Sequence, residues 1–203
     1  FRRLRWKNYT IVGDVTVSMY PYSTQLLWWI KNYSTDSVTS SYVFFNDGDE
    51  RPDAEKIIGR TGGIYAKECN SFAAVKKLIR ETMEKGSGGD RPENDIEALI
   101  AGEREFPDRD FQVLIADNKA PVKDMALVTS LRKPVRIILC GADPYFINPD
   151  YLNLARKTKG SVHLAEQDLN ALSLIREGEA LRIGYKIFVL HEGLFTEKDE
   201  ERK

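Results

Sequence analysis

Cysteine and histidine are almost missing from this chain, at two of each in 203 residues. Cys69 and Cys140 cannot build a disulfide framework. Cys140 ends an apolar run, so a buried free thiol is expected there. His163 and His191 lie far apart, and neither has a second His or Cys at helical spacing, which argues against a zinc centre built on nitrogen and sulfur. Long apolar runs are missing too. Leu26-Leu27-Trp28-Trp29-Ile30 falls far short of the roughly 18 residues a membrane helix needs, so no membrane insertion is expected. Charge of one sign is not in excess. Thirty basic against 31 acidic residues give a net charge of -1, which leaves no field to draw the whole protein to nucleic acid or an anionic membrane. The basic opening Phe1-Arg2-Arg3-Leu4-Arg5-Trp6-Lys7 reads as a solvated end. No Gly-Lys-Ser/Thr occurs, and Gly86-x-Gly88-Gly89 runs into Asp90, whose carboxylate would repel a phosphate. The chain opens on Phe1 with no signal-peptide pattern, and localisation stays open.

What is present is an ordinary folded composition, 42% hydrophobic and 30% charged, in a length that suits one domain with an appendage. Apolar runs alternate with helical periodicity. Strands are predicted at 9–13, 42–45, 63–67, 111–116, 135–140 and 161–164. Helices are predicted at 21–32, 71–85, 92–101, 124–131, 150–157 and 168–175. Ser71 is the expected cap of the second helix, whose apolar face is Phe72, Val75, Leu78, Ile79 and Met83. Strands alternating with helices of ten or so residues mean an α/β fold with a mainly parallel sheet. Residues 181–195 have β character around a turn at Gly184-Tyr185 and read as an appended hairpin. The expected division is 1–177 for the α/β domain and 178–203 for the hairpin and its charged tail.

In an open α/β sheet, ligands gather beyond the carboxyl ends of the strands. The first strand ends in Asp14-Val15-Thr16-Val17-Ser18, one carboxylate and two hydroxyls spaced two apart. In extended backbone such residues point the same way. The strand 111–116 ends in Asp117-Asn118, and Gly88-Gly89-Asp90 opens a helix between them in sequence. Oxygen-only ligands suit Mg²⁺ or Ca²⁺, with Mn²⁺ also accommodated. Asn46-Asp47-Gly48-Asp49-Glu50 looks like a calcium loop but lacks the downstream bidentate Glu, and a solvated turn is expected. Glu93 reads as a helix-start residue, and Trp28-Trp29 as core with one rim position.

These residues resemble the von Willebrand factor A family with its metal-ion-dependent adhesion site. That family's first loop is Asp-x-Ser-x-Ser, here Asp14-x-Thr16-x-Ser18. Its fourth strand ends in Asp, here Asp117, and Ala155, Thr158 and Gly160 match part of a late segment. The family's second loop usually supplies a Thr after Gly-Gly. Gly88-Gly89-Asp90-x-Pro92-Glu93 departs from that and resembles a hemicentin-like branch and uncharacterised bacterial proteins. The resemblance spans about 8–176. It implies a doubly wound, Rossmann-like sheet, mainly parallel with one short antiparallel edge strand and helices on both faces. It implies a metal held by Asp14, Thr16, Ser18, Asp90 and Asp117. It implies a cation-dependent protein-binding or adhesion domain without turnover, whose unidentified protein ligand offers an acidic side chain. An added carboxylate at Asp90 would tighten the cation and weaken its pull on such a ligand. Tyr20, Tyr22, Asn118, Lys119 and Tyr145 surround the site as candidate partner contacts. The rival reading is a haloacid-dehalogenase-type phosphotransferase with Asp14 as nucleophile and Lys123 as the assisting lysine.

Overall fold

A computed structural model describes residues 6–33, 41–86, 88–89 and 91–198. The apolar, β-branched and aromatic runs of the sequence become the strands β1 (Tyr9–Asp14), β2 (Ser41–Phe45), β3 (Ile64–Glu68), β4 (Phe111–Asp117), β5 (Val135–Cys140), β6 (Ser161–His163) and β7 (Asp168–Leu169). They form one sheet in the order β3-β2-β1-β4-β5-β6-β7. The run from β2 to β6 is parallel. β3 is the expected antiparallel edge, and the two-residue β7 adds an antiparallel pair at the other edge.

The helices are α1 (Ser23–Tyr33), α2 (Phe72–Glu84), α3 (Asp95–Glu105) and α4 (Pro149–Lys157). Both faces of the parallel strands are buried, as parallel sheets require. Alternation along each strand splits the core. Val12, Leu114, Ala116 and Ile137 join α3 and α4 on one side. Ile11, Val113, Ile115 and Phe44 join α1 and α2 on the other. Ser71 caps α2 as expected, its Oγ accepting from the amide of Ala74 at 3.3 Å. Val75, Leu78 and Ile79 form the buried face of α2, while Met83 turns out to solvent. No helix among the described residues is long and apolar enough to cross a membrane.

Several elements differ from the sequence reading for identifiable reasons. The first helix starts at Ser23, because Val17–Tyr22, with Pro21 inside it, is a 3-10 turn. The third helix starts at Asp95 rather than Pro92. Glu93 forms a parallel bridge with Val122, donating to the carbonyl of Pro121 and accepting from the amide of Lys123, which holds it extended. Residues 125–130 are 3-10 rather than α. Asp168 does not cap a helix. It pairs with His163 across β6 and β7, and its carboxylate lies 2.9 Å from His163 Nδ1, leaving only a 3-10 turn at Leu172–Leu174.

The C-terminal segment gains a strand over the expected hairpin. β8 (Ala180–Ile183), β9 (Lys186–His191) and β10 (Leu194–Glu197) form an antiparallel sheet. Ile183, Phe188, Leu190 and Phe195 enter the same apolar cluster as Tyr151, Leu152 and Leu154 of α4. Buried Asn153 of α4 completes the joint, accepting from Phe195 N at 2.6 Å and donating to Phe195 O at 3.3 Å. Phe188→Ala is expected to cost about 3–5 kcal/mol of stability in urea unfolding. A loss below about 1 kcal/mol would mean that this sheet is only loosely attached.

Candidate cation site at the carboxyl ends of the first and fourth strands

Strand order reverses between β1 and β4: β2 and β3 follow β1 in one direction, β5 and β6 follow β4 in the other. A crevice opens at such a switch point because the connections on either side leave to opposite faces. A cleft of about 560 Å³ lies there, lined by Thr16, Ser18, Gly88, Glu93, Asp117 and Lys119 among others. A larger groove of about 690 Å³ runs along β3 and α3, but its buried carboxylate, Glu97, is already occupied by Gly59 N, Thr61 N and Thr61 Oγ1.

Asp14 is the last residue of β1 and is fully buried. Its Oδ1 accepts from Thr16 N at 2.8 Å and from Thr16 Oγ1 at 2.7 Å. Thr16 Oγ1 lies 2.9 Å from Ser18 Oγ. The three oxygens are thus drawn together by a local turn. The extended spacing read from the sequence stops at Thr16, since Ser18 already belongs to the 3-10 turn. Asp117 ends β4 at 1% exposure, and its Oδ1 accepts from the amides of Lys119 and Ala120. The other oxygens, Asp14 Oδ2 and Asp117 Oδ2, are buried without any hydrogen-bond partner. Gly88 closes the third side. Its φ is +81°, and a Cβ there would sit 3.4 Å from Thr16 Cγ2. Asp90 falls outside the described residues.

Burial drives the electrostatics. It pushes Asp14 up to about 7, against the pull of the Thr16 amide and hydroxyl, with Asp117 and Asp47 adding like charge. It pushes Glu93 up to about 10, with Asp14 and Asp47 adding to the rise and the Thr16 hydroxyl and Lys123 opposing it. Carboxylates so placed need a proton or a cation.

The segment 46–50 is not the solvated turn expected. Asn46 and Asp47 are fully buried. Asp47 takes the ammonium groups of Lys56 and Lys123, each at 2.7 Å. Asn46 bridges Asp49 and the carbonyl of Thr82. The backbone there is left-handed at Asp47, Gly48 and Asp49, and the loop forms a cross-linked wall behind the site.

The expected partner contacts divide. Tyr20 is 74% exposed, and Lys119 is exposed on the cleft. Tyr22 lines the cleft half-buried, its hydroxyl filling the space over Gly141. Tyr145 is 68% exposed and stacks on Tyr185 of the C-terminal sheet at 4.8 Å. Asn118 is corrected. It is fully buried, donating to Phe146 O at 2.9 Å and accepting from Asn148 N at 2.8 Å, so it anchors the loop that carries Tyr145. Sequence reasoning missed Asp95, which is fully buried at the start of α3. The acid density of Glu93-Asn94-Asp95 just before a helix was the available signal, and it is indistinguishable from ordinary capping until burial is known.

Among the described residues, no three His, Cys, Asp or Glu side chains form a ready metal-holding group. The strand-end residues offer two carboxylates and two hydroxyls, Glu93 lines the cleft as a further carboxylate, and hard oxygen atoms of this kind fit Mg²⁺, Ca²⁺ or Mn²⁺.

No family model matches the chain, and no curated protein does. Among solved structures it is similar to a von Willebrand factor type A from Catenulispora acidiphila, with 16% sequence identity and a TM-score of 0.45. The match covers 83% of this chain and 40% of that one, so this chain spans well under two thirds of that protein's length.

Proposed function

We propose that the protein is a divalent-cation-dependent protein-binding domain without turnover. The cation is held at the carboxyl end of β1 by Asp14, Thr16 and Ser18, and on the β4 side by Asp117. The observation that carries this reading is the pair of buried, unpartnered oxygens Asp14 Oδ2 and Asp117 Oδ2 beside an open cleft. Leaving such groups bare costs several kcal/mol, which a bound hard cation would relieve. The resemblance of Asp14-x-Thr16-x-Ser18 to the metal-binding loop of the von Willebrand factor A family points the same way. A bound cation supplies positive charge and open coordination positions that a partner's oxygen fills. An acidic side chain is the strongest such donor, and Lys119, Tyr20 and Tyr22 stand around it.

Phosphoryl transfer from Asp14 fits less well. Lys123, the lysine that chemistry would need, sits on Asp47. Calorimetric titration of chelator-stripped protein with MgCl₂ or CaCl₂ is expected to show one saturable site, together with a rise in melting temperature that EDTA reverses. Flat isotherms with both salts would remove the proposal. Steady hydrolysis of an aryl phosphate, lost in Asp14→Asn, would favour the enzyme instead.

A further inference from the structure

More carboxylate surrounds Asp14 than the two strand ends supply. Glu93 lines the cleft at 3% exposure, and its Oε2 has no partner. Asp95 is 0% exposed, and neither of its oxygens receives a hydrogen bond. Asp14, Asp124, Glu93 and Asp47 lie close enough to act on Asp95 as like charges. A capping role does not account for it. The amides of Ile96 and Glu97 at the start of α3 already donate to Asp124, at 3.1 and 2.6 Å. Asp95 is thus a buried carboxylate with no structural bond to make, beside a candidate cation site.

These acids gather around Asp14 without forming a ready group of three ligands. A bare ion held by direct carboxylate contacts would need them to meet at one point. A hydrated ion needs something else: acceptors set back from the metal, to receive hydrogen bonds from its water ligands. Mg²⁺ gives up its waters reluctantly and is bound through few direct carboxylates, whereas Ca²⁺ takes six to eight oxygen ligands more freely. We propose that Glu93 and Asp95 are outer acceptors of the cation site, hydrogen-bonded to the waters of a Mg²⁺ ion held by the strand-end residues, and that they set its preference for Mg²⁺ over Ca²⁺. This rests on the cation reading of the cleft given above. Both are positioning residues, acting through water on an ion that Asp14, Thr16, Ser18 and Asp117 hold.

The test is calorimetric titration of the wild type, Glu93→Gln and Asp95→Asn with MgCl₂ and with CaCl₂, plus melting curves of all three in EDTA. Each substitution keeps shape and removes charge. The Mg²⁺ affinity of each variant is expected to fall about tenfold or more, the size typical of groups that support metal ligands. The Ca²⁺ affinity falls less, so the preference for Mg²⁺ shrinks. In EDTA, Asp95→Asn melts no lower than the wild type, because a buried acid without a partner has been removed. A merely structural residue would do the reverse, lowering the EDTA melting temperature and both affinities in parallel, and that result overturns the inference. Wild type that binds Mg²⁺ with both variants unchanged also overturns it, while leaving the cation site in place. Wild type that binds neither ion removes the cation site and this inference with it.

Discussion

Asp14→Ala is expected to abolish the proposed divalent-cation binding, lowering affinity by at least about 100-fold, since loss of a supporting group alone costs 10–100-fold. Asp14 carries a buried, unpartnered oxygen and also organises the hydroxyls, through its bonds to Thr16 N and Thr16 Oγ1. Removing it would take away a proposed ligand and release the turn that gathers Thr16 and Ser18. Thr16→Ala is expected to weaken binding less, about tenfold, because a water can take the place of a hydroxyl. Calorimetry on the variants, with circular dichroism to verify folding, measures both. An Asp14→Ala isotherm that matches the wild type would show that the cation, if bound, is held elsewhere.

The second large effect is an inverted pH profile. Stripped of cations, the protein is expected to lose stability between about pH 5 and pH 8, a range in which most proteins are near their best. Asp14 is raised from 3.8 to about 7, and Glu93 from 4.5 to about 10. A carboxyl group whose folded value lies above its unfolded value contributes fully below the unfolded value. That contribution is lost as pH rises through the folded one. For Asp14 the loss is on the order of 4 kcal/mol by pH 8, a large share of the 5–15 kcal/mol of a typical domain. Asp47, Asp95 and Asp124 shift the same way. His163, lowered by burial, acts in the opposite sense and offsets part of the fall. A bound cation replaces the protons, so saturating Mg²⁺ should raise the melting temperature much more at pH 8 than at pH 5. Urea unfolding across this range, with EDTA and with Mg²⁺, reads both. A cation-free protein that grows more stable from pH 5 to pH 8 would contradict the acid cluster.

The strands were legible because their apolar runs are dense and bounded by turn residues, as in Val113-Leu114-Ile115-Ala116 before Asp117. The helix starts were less so. Pro92 looks like a first-turn residue, yet tertiary pairing of Glu93 with Val122 keeps it out of α3. Asp168 looks like a cap, yet His163 claims its carboxylate. Of the candidate site, the places of Asp14 and Asp117 at strand ends, with Thr16 and Ser18 just beyond the first, were legible. Asp95 was not, because nothing local separates a buried acid from a solvated one. Asn118 misled for the same reason: a polar residue at a strand end reads as a ligand contact until the fold places Phe146 and Asn148 against it. The wall formed by Asp47 and Lys56 is completed by Lys123, which is far away in sequence and is brought to Asp47 by the sheet order.

A divalent cation is proposed to sit where β1 and β4 end. Crystals grown with Mn²⁺ test it most directly, through anomalous scattering at the manganese edge. The predicted result is one anomalous peak in the cleft, within ligand distance of Asp14 or Ser18 on one side and Asp117 on the other. Well-diffracting crystals in saturating Mn²⁺ with no anomalous density at that point would contradict it.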